Sequence, residues 1–78
     1  MPGTVVQRLV EIEQDPHGYD KIDVLDLLKD CNFECELYPE TIVCKHKGLG
    51  LVFSFPENAR TISAAYAATI ARTLIPHF

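Results

Sequence analysis

Residues 33–56 read FECELYPETIVCKHKGLGLVFSFP, and three segments in this stretch have the character of strands. Apolar residues alternate with glutamates over 33–37, large apolar residues recur at every second position over 51–55 (Leu51, Phe53 and Phe55), and 41–46 is rich in β-branched side chains. Such patterns are typical of strands that bury one face. Two short turns join the segments, at Pro39-Glu40 and at Lys47-Gly48-Leu49-Gly50. Because connections this short join antiparallel neighbours, the stretch predicts a three-stranded antiparallel meander.

The two faces of this sheet differ in the side chains that they present. Phe33, Cys35 and Leu37 are in phase with one another and form the buried face of the first strand. The opposite face is predicted to be a mixed polar surface, open to water or to a partner, that carries Glu34, Glu36, Val52 and Ser54.

Two helices are predicted before the sheet. Thr4-Val5-Val6-Gln7 has the form of a capping box, and a helix over about 5–14 ends at Asp15-Pro16-His17-Gly18. Asp20 is the expected N-cap of the second helix, and Asn32 is its expected C-terminal cap. The apolar stripe of the second helix consists of Ile22, Val24, Leu25, Leu28 and Cys31.

A last helix is predicted after the sheet, beginning at Asn58 or Thr61 and ending before Pro76. Its apolar stripe repeats every four residues, at Ile62, Tyr66, Ile70 and Leu74. The fold class is therefore α+β: an N-terminal helix, a second helix, a three-stranded antiparallel meander, and a C-terminal helix packed on one sheet face. At 78 residues, the chain has room for one small domain over residues 1–78.

Composition and charge exclude several classes of function. The net charge is −4, which argues against a chain built for non-specific phosphate binding. The charge is also uneven, because residues 11–40 sum to −8 and residues 41–78 sum to +3. We expect no membrane span and no secretory signal, and hence a cytoplasmic location. Three cysteines at no framework spacing indicate reduced packing residues and no disulfide scaffold.

The candidate site residues are Lys45, His46 and Lys47 at the end of the second strand. Two flanking ammonium groups favour a neutral His46 imidazole, which has the chemistry of a catalytic base, and the lysines are candidate nucleic-acid contacts. The strand pleat, however, turns His46 away from the two lysines. We expect at most weak, salt-dependent RNA binding. A zinc site from Cys31, Cys35, Cys44 and His46 is the less favoured alternative to packing, so no metal and no cofactor are expected.

Residues from about 20 to 74 resemble the HicA-type toxin domain. The resemblance is carried by the helix before Asn32-Phe33, the pair Lys45-His46 at the end of the second strand, Phe53-Ser54-Phe55-Pro56, and a closing helix that contains Ile70. It implies a double-stranded-RNA-binding-like fold, cleavage of messenger RNA and neutralisation by an antitoxin partner. The family's usual Gly, Ser or Thr, and His at the start of the second strand are replaced here by Pro39-Glu40-Thr41.

Two functions follow as expectations. The first is a small interaction module with a HicA-like fold that binds a protein partner or forms a homodimer, without catalysis. The alternative is a HicA-like toxin that cleaves messenger RNA, with His46 as its catalytic residue. The missing motif and the acidic balance favour the first.

Overall fold

A computed structural model describes residues 2–15 and 17–78, with side chains from Val5 onward. The larger elements are α1 (Pro2–Gln14), α2 (Lys21–Asp30), β2 (Glu34–Tyr38), β3 (Thr41–His46), β4 (Leu51–Pro56) and α3 (Ala64–Leu74). Two-residue strands, β1 (Tyr19–Asp20) and β5 (Thr61–Ile62), pair with each other, and a 3-10 turn (Ile75–His77) follows α3. Among the described residues, no helix combines the length and the apolar character needed to cross a membrane.

The predicted α+β class and the antiparallel meander are confirmed. Strands β2, β3 and β4 lie in that order, with Cys35 opposite Cys44 and Cys44 opposite Phe53. Gly50 closes the β3–β4 hairpin at φ +67°, in the left-handed region that glycine adopts without strain.

The core lies between the inner face of this sheet and the three helices. It includes side chains from α1, α2, the sheet and α3, among them Leu9, Leu28, Phe55 and Ile70. Helix α1 packs against α3, a neighbour that the sequence pattern did not specify. An ion pair between Arg8 and Asp30, 2.9 Å apart, joins α1 to α2 at the surface.

Both ends of α2 have the predicted chemistry. The Asp20 carboxylate accepts a hydrogen bond from the Ile22 amide at 2.9 Å. At the other end, Asn32 adopts φ 70° just after the C-cap, and the amides of Asn32 and Phe33 donate to the carbonyls of Lys29 and Leu28. These two bonds form a Schellman motif, which ends the helix and leads the chain into β2.

Two predicted core residues are exposed instead. Ile22 is 65% exposed because the buried face of α2 follows Lys21, Val24, Leu28 and Cys31, one residue out of phase with it. Side-chain burial decreases along the first strand. Phe33 is buried, Cys35 is half-buried, and Leu37 is 68% exposed.

The helix boundaries differ from the predictions in two places. Helix α3 begins at Ala64, where the Ser63 hydroxyl caps the Tyr66 amide, because 61–62 are taken up by pairing with β1. Helix α1 begins at Pro2, before the predicted Thr4 cap. The proposed roles of the Thr4 side chain and of Pro16 lie outside the described residues.

Candidate functional site

The predicted site residues Lys45, His46 and Lys47 do not lie on one side of the β3–β4 hairpin. Lys45 lies opposite Glu34 and is exposed, and Lys47 is exposed in the turn. His46, by contrast, is half-buried, and its ring packs edge-on against Phe33 with centroids 5.2 Å apart. The structure therefore does not bring the imidazole and the neighbouring lysine of β3 together on one surface.

The His46 ring also has a structural hydrogen bond. Its Nδ1 atom accepts from the Leu49 amide at 3.1 Å, across the β3–β4 turn. A neutral imidazole has one acceptor nitrogen, so this bond places the ring proton on Nε2. The ring has no second lone pair with which to take a proton from a substrate. The arrangement suits a residue that holds a turn better than it suits a catalytic base.

The three cysteines lie in or beside the core, as expected. Cys31 and Cys44 are fully buried and Cys35 is half-buried. Within residues 2–15 and 17–78, no three or more His, Cys, Asp or Glu side chains are arranged so as to hold a metal ion.

The β4 edge of the sheet is covered by side chains from other elements. The Tyr66 hydroxyl of α3 donates to the Ser54 carbonyl at 2.8 Å and accepts from the Ser54 amide at 3.2 Å. Burial raises the pKa of Tyr66, so its hydroxyl keeps its proton at neutral pH. The buried Lys21 ammonium donates to the carbonyls of Pro56 and Glu57, at 3.1 and 2.5 Å. At Ser54, Pro56 and Glu57, the backbone groups that an added strand would bind are therefore already hydrogen-bonded.

The Tyr66 contact also reveals how the meander is hydrogen-bonded. Since Ser54 directs its amide and carbonyl away from β3, its opposite residue, Val43, directs its own groups toward β2. The amide and carbonyl of the next residue of β3, Cys44, therefore point toward β4. Its opposite residue, Cys35, must then point its amide and carbonyl away from the sheet.

The outer edge of β2 is consequently open. By the two-residue period, the amide and carbonyl of Leu37 also point away from β3, as those of Cys35 do. Among the described residues, no other backbone group bonds to this edge. Leu37 and Tyr38 are both exposed large side chains, and Glu34 and Glu36 are exposed on the outer face. The site offered by the structure is thus an acidic, unpaired edge strand with an exposed leucine.

The hydroxyl of Tyr66 is open to a direct test. Tyr66→Phe should destabilise the protein by about 1 kcal/mol, because the Ser54 groups lose their partner. The Ser54 amide should also exchange its hydrogen faster. Tyr38→Phe is the matched control, because among the described residues the Tyr38 hydroxyl bonds to the exposed Glu36 carboxylate alone. Denaturant unfolding and amide exchange measure both effects, and equal behaviour of the two variants would contradict the closed β4 edge.

Sequence reasoning missed three of these features. Lys21 was passed over because a lysine is normally exposed, and only its spacing to Val24 and Leu28 marks the buried face. The four-residue repeat puts Tyr66 on the core stripe but predicts no role for its hydroxyl. The closeness of Cys35 and Cys44 was within reach, because a two-residue turn at Pro39-Glu40 pairs these two positions.

Comparisons with known proteins do not add to this description. No model of a protein family, no curated protein and no solved structure matches the chain.

Proposed function

We propose that this chain is a non-catalytic interaction module that binds an extended, basic segment of a partner protein along β2. The observation that carries the proposal is the contrast between the two edges of the sheet. Tyr66 and Lys21 occupy the edge of β4, whereas the outward groups of Cys35 and Leu37 have no bonded neighbour among the described residues. Addition of a strand to an open edge is a common mode of peptide recognition.

Charge favours a different protein over a second copy of the chain. Glu34 and Glu36 line the outer face of β2, within a region of the chain that sums to −8. Antiparallel pairing of two β2 strands about Glu36 places the two Glu36 carboxylates opposite each other, and like charges in such pairs are destabilising. A partner strand with Lys or Arg on that face makes favourable pairs instead.

The pleat of β2 defines the sequence pattern of such a partner. Residues of the added strand that face the outer side meet Glu34 and Glu36, and alternate residues meet Leu37 on the inner side. The preferred segment therefore alternates basic and apolar residues. Main-chain hydrogen bonds to β2 supply affinity, and the alternation supplies specificity.

The HicA resemblance is compatible with this proposal in its fold but not in its catalysis. The order α2, three-stranded meander, α3 is the order that the resemblance implies. A HicA-like toxin that cleaves messenger RNA remains the alternative, and it requires a base. The bond from the Leu49 amide to His46 Nδ1 favours binding over cleavage.

The test uses synthetic peptides of alternating lysine and valine, with alternating glutamate and valine as the control sequence. We expect fluorescence anisotropy to detect binding of the lysine peptide alone. A lysine peptide N-methylated at alternate residues should bind roughly tenfold or more weakly, because it keeps its charge but loses edge hydrogen bonds. Equal binding of the methylated peptide would contradict pairing at the edge.

Two proline variants locate the binding edge. Leu37→Pro removes an amide that faces outward from β2, and it should abolish binding while keeping the fold. Val52→Pro is the matched control, since Val52 is 58% exposed and its amide also faces outward, but from β4. Circular dichroism checks that both variants are folded.

Two other outcomes would overturn the proposal. Sedimentation that shows a dimer lost in Leu37→Pro would assign the edge to a second copy. Cleavage of a mixed RNA pool by the parent protein, lost in His46→Ala, would favour the alternative function, a toxin that cleaves messenger RNA.

A further inference from the structure

Cys35 and Cys44 lie directly opposite each other on β2 and β3, and their sulfur atoms are 2.7 Å apart. The outward direction of the Cys35 backbone makes them a pair without main-chain hydrogen bonds between them. In such pairs the Cα atoms lie about 4.5 Å apart and the side chains approach most closely. Disulfides span Cα separations of about 4.4–6.8 Å, so the backbone is already placed for a bond.

We propose that Cys35 and Cys44 form a reversible cross-strand disulfide, which makes this pair a redox modification site with low-molecular-weight disulfides as its oxidants. Closing the bond to about 2.05 Å shortens the sulfur separation by about 0.7 Å. Rotation of the two side chains can supply this movement, and the strand pairing is unaffected. The site is separate from the proposed binding of a partner and does not depend on it.

The two cysteines have different roles because their environments differ. Cys35 is half-buried on the open edge strand, so an external disulfide can reach it. Cys44 is fully buried between the two neighbouring strands. Burial, with a further contribution from Cys35, raises the pKa of Cys44 to about 12, so this thiol keeps its proton at neutral pH. Oxidation therefore begins at Cys35.

The reaction consists of two exchange steps. In the first, the Cys35 thiolate attacks one sulfur of the external disulfide, whose S–S bond breaks and whose other half leaves and takes up a proton. In the second, Cys44 releases its proton and its sulfur attacks Cys35 Sγ, which expels the remaining half as a second thiol. The protein loses two electrons and two protons, and the external disulfide gains both.

Glutathione disulfide is the probe for the test. After treatment, the denatured parent protein should show one free thiol where the reduced protein shows three, and dithiothreitol should restore all three. Digestion after glutamate residues puts the three cysteines on separate peptides, because Glu34, Glu36 and Glu40 divide them. Mass spectrometry without reduction should find the Cys35 and Cys44 peptides joined. A link to Cys31, or no loss of thiols, would overturn the proposal.

Single variants test the order of the steps. Cys44→Ala should retain glutathione on Cys35, because the second step is missing. Cys35→Ala should retain far less, since only buried thiols remain. Cys31→Ala should form the disulfide as the parent does. Glutathione found mainly on Cys44 in the folded protein would contradict Cys35 as the point of entry, and peptide mapping of the parent needs no variant to fold.

Discussion

Ile70→Ala should leave the protein largely unfolded. Ile70 is 2% exposed in the middle of α3, and the change removes buried side chain and leaves a cavity that costs about 2–5 kcal/mol. A domain of this size has little more than 3–5 kcal/mol from its core. Urea unfolding followed by circular dichroism should show little folded baseline in the variant.

Ile22→Ala is the matched control for this change. The same atoms are removed from a helix, but Ile22 is 65% exposed on α2. The free energy of unfolding of this variant should lie within about 0.5 kcal/mol of that of the parent, as for other surface substitutions. Equal losses at the two positions would show that the buried face of α2 is misplaced.

Lys21→Met should also destabilise the protein, by about 1–3 kcal/mol. The methionine fills a similar volume, but the carbonyls of Pro56 and Glu57 lose their donor. Lys21 is 8% exposed, so water replaces the ammonium only poorly. The measurement is the free energy of unfolding in urea.

Lys29→Met is the control for Lys21, because Lys29 is an exposed lysine of the same helix. We expect it to change the free energy of unfolding by less than about 0.5 kcal/mol. If the two variants lost equal stability, the hydrogen bonds of Lys21 to the end of β4 would have no energetic importance.

Most of the fold could be predicted because its signals are local. The two-residue period of 33–37 and the short turn at Pro39-Glu40 specify the first hairpin and its pairing. Asp20 marks the start of α2 by its own side chain. Ile22 and Leu37 were misplaced because burial depends on which neighbouring element covers a residue, and periodicity alone does not carry that information.

The site was less predictable, because its defining contacts join distant parts of the chain. Sequence reasoning singled out Lys45, His46 and Lys47 by residue type. The contrast between the open edge of β2 and the covered edge of β4 depends instead on long-range contacts. Tyr66 bonds to Ser54, 12 positions away, and Lys21 bonds to Pro56, 35 positions away. The predicted meander already places its first and third strands at the edges, but the residues of these strands do not tell which edge is covered.

The covered edge of β4 also limits the valency of the molecule. A fibril grows only when every added unit offers a fresh adhesive edge on its far side. Here Tyr66 and Lys21 occupy the β4 edge at Ser54 and Pro56, and of the outward-facing residues of β4 they leave Val52 uncovered, so a unit joined through β2 presents a shorter edge to the next than the one it was joined by. Association through this sheet is therefore disfavoured beyond one event. A chain with an exposed leucine on an unpaired strand can thus bind one partner without entering open-ended polymerisation.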